Sequence, residues 1–417
     1  MLMSLVTIRR NALLVTTHDP QQMQAPETPD NENANRVAVL LMGYGEVESY
    51  DDFANYNEEA LNLLTAKFAP VPNWIYPFLA KLLAMFDRHE WGHQHNDFVS
   101  PHNAIFEQQR AGVEQRLQEQ WGDRVRVFKA FNFCKPFLPE QVLADIKAQG
   151  YNKLLIYPLL VVDSIFTSGI AVEQVNKALA QLSDSDRHWI NGIQYIPSFF
   201  DRPEYVDLMA NMVEEAIADK LADAYLPSQI GIVLMNHGCP HKAKGFTSGI
   251  AESEALYERV RDKLIHRYPL ISVGWLNHDT PMIEWTQPNA KLAGDNLIQL
   301  GAKALVYMPI GFATENHETL LDVHHIIHDL HARHPDVTYV QMPCANDRPE
   351  FLDMVADWAN DRIDVLLSGE AVSVNPTLAE LRAREFHTHG DDDIMHHHDG
   401  HDHSHSHSHS HSHSHSH

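Results

Sequence analysis

A histidine and a glutamate each follow an apolar, strand-like run in this sequence. The run I-G-I-V-L-M over residues 230–235 precedes His237, and the run A-L-V-Y-M-P-I-G-F over residues 304–312 ends shortly before Glu318. Unbroken apolar runs are typical of buried parallel strands, and ligand sites of α/β folds lie at the carboxyl ends of such strands. An imidazole accepts a proton or binds a metal near neutral pH, and a carboxylate attracts a divalent cation. The pair therefore suits a reaction that transfers a metal ion and removes protons.

The segments that would position these two residues alternate between strands and helices. Strands are predicted at 37–42, 125–131, 153–160, 231–235, 271–275 and 304–309, with helices such as 103–121 and 139–149 between them. This alternation predicts an α/β fold of parallel sheets with crossover helices. The loops M-G-Y-G at 42–45 and M-N-H-G at 235–238 follow the first strand of each half, which indicates an internal duplication. We therefore expect two Rossmann-like, doubly wound lobes that flank one cleft.

Composition gives the approximate limits of these lobes. We expect a disordered leader at residues 1–35 and the two α/β lobes at residues 36–205 and 206–365. A linker with a short helix is expected at residues 366–386, and a disordered histidine-rich tail at residues 387–417. The apolar patch near the N-terminus is too short for the core of a signal peptide. No segment reaches the roughly 18 apolar residues of a membrane span.

Charge and cysteine usage narrow the possible partners and cofactors. A formal net charge of -25 argues against a nucleic-acid partner, because nucleic-acid-binding proteins present basic surfaces. Cys134, Cys239 and Cys344 are far apart, so neither a disulfide framework nor a cysteine-ligated cluster is expected. We therefore expect no permanently bound cofactor, no iron-sulfur cluster and a cytoplasmic location.

A series of motifs resembles, in order and spacing, the ferrochelatase family of class II tetrapyrrole metal chelatases. The motifs are residues 37–56 (V-A-V-L-L-M-G-Y-G-E-V-E-S-Y-D-D-F-A-N-Y), Ser100-Pro101 with Gln109, Tyr157-Pro158 with Thr167-Ser168-Gly169, Asn236-His237-Gly238, Gly274-Trp275 with Trp285 and Pro288, and Pro309-Ile310-Gly311-Phe312 with Glu318-Thr319-Leu320. The resemblance covers residues 36–365. The series as a whole is more specific than any single motif.

The resemblance implies a lyase that inserts a divalent metal into a porphyrin in heme biosynthesis. The metal would be Fe²⁺, as a substrate, and the acceptor protoporphyrin IX or coproporphyrin III. His237 would accept protons from the macrocycle, while Glu318, with Glu315 or His317 nearby, would carry the metal or relay the protons. The residues expected to pack on the ring or fix its tilt are Tyr44, Phe133, Phe166 and Trp285.

Two positions depart from the family's pattern. Asn316 stands where the family has a histidine two positions before its glutamate, and His317 lies next to Glu318 instead. Asn132 stands in place of an arginine that anchors the tetrapyrrole, and Lys135 is expected to substitute for that charge. Two alternatives therefore stay open. One is a cobalt or nickel chelatase acting on another tetrapyrrole, and the other is a non-catalytic metal-buffering or delivery protein on the same fold.

Residues 72–86 are mostly apolar, with Lys81 as the single charge, and predict a helix that begins near Pro77 with more than one apolar face. The resemblance places this segment at the lip of the porphyrin cleft. A lip would bind the macrocycle, contact a membrane surface peripherally, or both. A helix buried in the core is the alternative.

The C-terminal tail holds 14 of the 30 histidines in its last 31 residues. It cannot form a core, because no apolar residue follows Met395. Flexible imidazoles bind Zn²⁺, Ni²⁺, Co²⁺ or Cu²⁺. The tail residues predicted to bind metal are His396, His397, His398, His401 and His403. An inert solvated run or a purification tag is the alternative.

Two further groups of histidines are less specific. His317, Leu321, His324, His328 and His331 follow helical spacing and would share one face. Solvated surface histidines are favoured there over a weak metal site at His324 and His328. A second group, which is ambiguous in the same way, consists of His89, His93, His95 and His102.

Overall fold

Two four-stranded parallel β-sheets lie at the centre of the chain in the computed structural model. The structure describes residues 35–65, 72–94, 97–182, 189–221, 224–241, 248–278 and 284–368. The predicted leader, apart from Asn35, and the predicted histidine-rich tail lie outside the described residues.

The first sheet takes its strands from the N-terminal half of the chain. They are β1 (Val37–Gly43), β2 (Val125–Phe131), β3 (Lys153–Pro158) and β4 (Ile193–Tyr195). All pair in parallel in the order β2-β1-β3-β4. The helices of this half are α1 (Phe53–Ala60), α2 (Tyr76–His89), α3 (His102–Trp121), α4 (Pro139–Ala148) and α5 (Ser168–Ala180).

The second sheet repeats this arrangement. Its strands are β5 (Ile230–His237), β6 (Leu270–Leu276), β7 (Ala304–Met308) and β8 (Thr338–Gln341), in the order β6-β5-β7-β8. The helices of this half are α6 (Pro203–Lys220), α7 (Ile250–Leu264), α8 (Ala290–Gln299), α9 (Val323–Arg333) and α10 (Pro349–Leu367). The matching strand orders agree with the predicted duplication and with two doubly wound lobes.

The first strand of each half lies in the middle of its sheet, which explains its composition. Every residue of β1 is buried, and so is every residue of β5 except His237 at its end. Helices cover both faces of such a sheet, so a central strand has no solvent-facing side. The chain continues to one side of this strand and then returns to the other, and the loop at such a reversal forms the ligand crevice. The fold therefore places the loops after β1 and β5 where a site is expected.

The predicted strands agree with the observed ones to within two residues at each end, but two strands were missed. Strand β4 has only three residues and β8 only four, and both lie at the edge of their sheets. An edge strand is partly solvated and short, so its sequence lacks the long apolar run that marks a central strand.

The last described helix differs from the predicted lobe boundaries. Residues up to 365 were assigned to the second lobe, yet α10 packs against β1, β3 and β4 of the first sheet and against α3. Its buried face, which includes Phe351, Val355, Ala359 and Ile363, lies in a hydrophobic core that the two sheets share. The predicted boundary at 205/206 also falls inside α6. The chain thus crosses back to the first lobe after β8.

Helix α2 forms the apolar segment predicted to be a lip. Tyr76, Ala80 and Ala84 are buried on one side, whereas Phe78 is 72% exposed and Met85 68% exposed. The structure therefore contradicts the alternative of a helix buried in the core and leaves an apolar face in solvent. None of the described helices is long and apolar enough to span a membrane.

Candidate active site

A cavity of about 560 Å³ lies at the carboxyl ends of strands from both sheets. The first lobe contributes Tyr44 after β1 and Phe133 after β2, and the second lobe contributes His237 at the end of β5 and Phe312 after β7. Pockets of roughly 300–1,000 Å³ bury most of the surface of a small organic ligand. The cavity is thus large enough for a cofactor-sized molecule.

Three side chains of the second lobe form a candidate metal site in this cavity. His237 Nε2 lies 3.2 Å from Glu318 Oε1, and His278 Nε2 lies 3.3 Å from the same oxygen. The three potential ligand atoms all lie within 4.8 Å of one another. Two imidazoles and one carboxylate form a donor set for first-row divalent metals.

Each of the three ligands stands at the end of a secondary-structure element. His237 is the last residue of β5, and His278 follows β6 by two residues. Glu318 begins a π-helical turn, Glu318–Asp322, that continues into α9. Single π-helical turns occur frequently at functional sites. Two strand ends and one helix start therefore hold the three ligands.

A hydrogen bond fixes which nitrogen of His237 faces Glu318. Its Nδ1 lies 2.6 Å from the carbonyl oxygen of Gly238, a distance at which Nδ1–H donates. Nε2 is then the atom directed at Glu318. Metal-binding histidines commonly use this arrangement, because the backbone carbonyl fixes the tautomer and orients the ring.

The charges of this cluster stabilise one another. Burial would raise the pKa of Glu318, but the adjacent His237 and the nearby His278 outweigh it and hold that pKa well below its usual range. Burial would lower the pKa of His237, and Glu318 reverses this and raises it well above its usual range. A metal that binds here must therefore displace a proton from His237. Burial and the charge of Glu318 also raise the pKa of Asp322 to about 7.

Aromatic side chains form the wall of the cavity in the first lobe. The ring of Tyr44 stacks on that of Phe133, with centroids 5.6 Å apart and planes 14° apart. The Tyr44 hydroxyl donates to the carbonyl oxygen of Phe166, and burial, followed by the charge of Glu318, raises the pKa of that hydroxyl above its usual value. Trp285 contacts the ring of His278 edge-on at 5.5 Å. All four residues predicted to hold a ring line the cavity.

His317 lies in the cavity but is paired with the first lobe. Its Nδ1 lies 2.5 Å from Glu46 Oε1, and its backbone N–H donates to Glu46 Oε2 at 3.1 Å. Burial would lower the pKa of His317, yet the carboxylate of Glu46 raises it to about 10. Burial would raise the pKa of Glu46, but the adjacent His317 keeps that pKa below its usual range. Although His317 is next to Glu318 in sequence, its ring pairs with Glu46, and it is not part of the three-residue cluster.

Other predicted residues lie outside the cavity or outside the described part of the chain. Lys135 is 57% exposed and lies 3.1 Å from Glu59, and it does not line the cavity where it was expected to anchor a tetrapyrrole. His324, His328 and His331 are exposed on α9. The predicted metal-binding histidines of the tail are not among the described residues.

Sequence reasoning missed His278 and Glu46. His278 follows a predicted strand, just as His237 does, so the rule that selected His237 would also have selected His278. Glu46 lies within the motif after β1, but nothing local indicates its partner, which is 271 residues away along the chain.

Known proteins resemble this chain over most of its length. A model of the ferrochelatase family matches residues 36–363. The chain belongs to the ferrochelatase family. It is 27% identical over 345 residues to the ferrochelatase of Trichodesmium erythraeum, covering 79% of this chain and 83% of that protein. It is 26% identical over 349 residues to the ferrochelatase of Picosynechococcus sp., with the same coverage.

A solved structure that resembles this ferrochelatase-family chain is more distant in sequence. The sirohydrochlorin chelatase SirB from Bacillus subtilis subspecies spizizenii, in complex with cobalt, is 11% identical, covers 80% of this chain and 96% of its own, and gives a TM-score of 0.41. Members of the ferrochelatase family are tetrapyrrole metal chelatases, which are lyases.

One departure from the ferrochelatase-family pattern has a structural role here. The side chain of Asn316 accepts a hydrogen bond from the backbone N–H of Thr319 at 2.9 Å, while the Thr319 hydroxyl accepts from the Asn316 N–H at 3.0 Å. This reciprocal pair resembles a helix cap and stabilises the start of the turn that carries Glu318. Asn316 therefore supports Glu318 through the backbone.

Proposed function

We propose that this chain inserts Fe²⁺ into protoporphyrin IX or coproporphyrin III and so forms heme. The observation that carries the proposal is the cluster of His237, His278 and Glu318, which faces an aromatic wall across a cavity of about 560 Å³. A chelatase must bind a flat apolar ring beside a site that can hold a divalent metal, and these two features meet here.

The geometry supports a division of roles during insertion. The macrocycle loses two pyrrole N–H protons and gains one divalent metal, so two protons must leave the cavity. Once the metal has displaced the proton from Nε2 of His237 and passed to the macrocycle, this nitrogen, which faces Glu318, is free to accept the pyrrole protons and pass them to solvent. Glu318 carries the negative charge that holds the incoming cation, and His278 adds a neutral nitrogen ligand. The stacked rings of Tyr44 and Phe133 support the macrocycle.

The charge of the cavity supports a porphyrin whose carboxylates remain outside it. Five carboxylates line the cavity, and none of its described lining residues is a lysine or an arginine. The acidic lining residues are Glu46, Asp87, Glu90, Glu318 and Asp322. A buried substrate carboxylate would face repulsion from this lining, because His237 and His317 are already paired with Glu318 and Glu46. A tetrapyrrole with carboxylates around its whole edge therefore fits less well than one whose carboxylates extend into solvent.

A matrix of substrates tests this proposal. Purified protein is incubated with protoporphyrin IX, coproporphyrin III or sirohydrochlorin and with Fe²⁺, Co²⁺, Ni²⁺ or Zn²⁺, and the absorbance of each product is followed. We expect the highest kcat/KM for Fe²⁺ with one of the two porphyrins. Preferred insertion of Co²⁺ or Ni²⁺ into sirohydrochlorin would assign the chain to the rival chelatase reaction. Absence of insertion with every pair would favour a metal-buffering protein.

We also propose that the protein works in the cytoplasm without a permanent cofactor or an iron-sulfur cluster. Cys134, Cys239 and Cys344 carry free thiols, the state that a reducing cytoplasm maintains. Metal analysis of the protein purified without added metal, together with its visible spectrum, tests the expectation that no cluster is bound.

The exposed face of α2 is proposed to contact a membrane surface peripherally. The face presents Phe78, Met85 and Phe86, and Trp74 is exposed just before the helix. Apolar faces of this kind insert into the boundary between lipid headgroups and acyl chains. We expect the wild type to sediment with phosphatidylcholine/phosphatidylglycerol vesicles and the double variant Phe78→Ser/Met85→Ser to remain largely in the supernatant. Leu292→Ser, which changes an exposed leucine on α8, is the matched control and should sediment like the wild type. Equal sedimentation of the double variant would contradict the contact.

The histidine-rich tail is proposed to raise the local metal concentration near the cavity. A tethered set of weak imidazole sites supplies ions without adding a ligand to the transition state. Deleting residues 391–417 should leave kcat at saturating metal nearly unchanged and raise the metal concentration that gives the half-maximal rate. A full-length control with serine in place of every tail histidine should behave like the deletion. Calorimetric titration that finds equal metal stoichiometry with and without the tail would show that it is inert.

A further inference from the structure

The segment just before Glu318 is held by side chains of the other lobe. Gln109 Nε2 of α3 donates to the carbonyl oxygen of Ala313 at 3.2 Å, and the Thr314 hydroxyl donates to Gln109 Oε1 at 2.8 Å. His102, the first residue of α3, lies with Nδ1 3.0 Å from the carbonyl oxygen of Glu315. The first lobe thus contacts residues 313–315 in succession.

Glu46 makes the last and strongest of these contacts. Its carboxylate binds both the ring and the backbone N–H of His317, the residue that precedes Glu318. A carboxylate that accepts charge-assisted hydrogen bonds from two directions fixes its partner more firmly than a single neutral bond does. The turn that carries Glu318 therefore begins at a residue held by the first lobe.

Glu46 is itself held in place on its own lobe. The Ser100 hydroxyl donates to its carboxylate, Asn103 Oδ1 accepts from its backbone N–H at 2.9 Å, and Asn103 Nδ2 donates to its carbonyl oxygen at 2.7 Å. Only 6% of the residue is exposed. Loop β1–α1, helix α3 and the turn at Glu318 thus meet at one buried residue, Glu46.

This arrangement matters because the two halves of the site lie on different lobes. The ring-supporting residues Tyr44 and Phe133 belong to the first lobe, and the metal cluster belongs to the second. A displacement of about 1 Å between reacting groups can reduce a rate by roughly a hundredfold. A contact that fixes Glu318 relative to the first lobe therefore controls the distance between metal and macrocycle.

We propose that Glu46 is a positioning residue for metal insertion, because its hold on the ring and backbone of His317 fixes the turn that carries Glu318 against the lobe that holds the macrocycle. This inference rests on the proposed function. His317 acts here as the connection between Glu46 and Glu318, which differs from the metal-carrying role expected from sequence.

The substitution Glu46→Gln tests the role with little change in volume. We expect kcat to fall about tenfold to a hundredfold, the range observed for outer-shell partners of metal ligands, while the KM for the porphyrin changes little. Co²⁺ titration followed by its visible absorption reports on the cluster without turnover, and the spectrum should shift in the variant. The matched control is Glu48→Gln, because Glu48 is exposed two residues away. Wild-type kcat together with an unchanged Co²⁺ spectrum in Glu46→Gln would overturn the proposal.

A double-mutant cycle separates positioning from independent effects. His317→Leu should lose about as much kcat as Glu46→Gln, and the double variant should be no worse than the more damaged single variant, since both changes break one connection. Additive losses would contradict the proposal.

If Glu46→Gln does not fold at the assay temperature, Ser100→Ala removes only the hydroxyl that supports the carboxylate. We then expect a several-fold lower kcat, and an unchanged kcat would contradict the proposal.

The two hypotheses fail in different ways. If the wild type inserts no metal into any tetrapyrrole, the proposed function is wrong, and the Co²⁺ spectra still decide whether Glu46 positions the cluster. If the wild type is active and the Glu46→Gln variant matches it in rate and spectrum, only the positioning role is wrong.

Discussion

Replacing His237 with alanine is expected to reduce the rate of metal insertion by about a hundredfold or more while the fold stays intact. The variant loses both the proton acceptor and one nitrogen of the metal cluster. In the wild type, the side chain of His237 is 40% exposed and contributes little to the hydrophobic core. The free energy of unfolding should therefore change little in the variant. The measurements are kcat under saturating metal and porphyrin, and the thermal midpoint.

The control for this variant is His266→Ala, which removes an exposed histidine beyond the end of α7. It should match the wild type in both measurements. If His237→Ala keeps more than about a tenth of the wild-type rate, His237 is not the proton acceptor, because the loss of a general base typically costs at least a hundredfold.

Glu318→Gln is expected to suppress insertion at least as strongly as any substitution at Glu315 or His317. The variant keeps the shape of the side chain but removes the charge that attracts the cation and lies beside both histidines of the cluster. The measurement is kcat and the KM for metal across the three positions. A far greater loss in His317→Ala than in Glu318→Gln would reverse the assignment and make His317 the residue that holds the metal.

The same variant has a diagnostic pH dependence. In the wild type, Glu318 raises the pKa of His237, so the imidazole remains protonated to a higher pH than an isolated histidine would. Metal must compete with that proton, and binding therefore strengthens as pH rises. Without the carboxylate, His237 loses its proton at a lower pH, so the acid limb of metal binding should shift to lower pH in Glu318→Gln even though binding is weaker overall. A limb at the wild-type position would show that another group controls it.

Local sequence patterns were enough to predict the α/β class, the central strands and the two loops where the site lies. The reason is that β1 and β5 lie in the middle of covered sheets, so nearly all of their residues are apolar and the first polar residues mark the carboxyl edge of the sheet. His237 and Glu318 could be selected from this rule together with the family resemblance. The edge strands β4 and β8 could not be predicted in this way, because they are short, partly exposed strands without a long apolar run.

Local patterns do not predict which polar residues contact one another, because those contacts depend on how the strands and lobes are arranged. His278 joins His237 and Glu318 because β5, β6 and β7 are neighbours in one sheet, a fact that no local pattern contains. The contact between Glu46 and His317 joins the two lobes. Helix α10 packs on the first sheet although it is far from that sheet's strands along the chain. Lys135 shows that residues close in sequence can lie apart in the site. It is only two residues from Phe133, which lines the cavity, but its side chain pairs with Glu59 outside the cavity. Local patterns record whether a residue is buried, whereas the partners of a buried charge are set by how the lobes pack together.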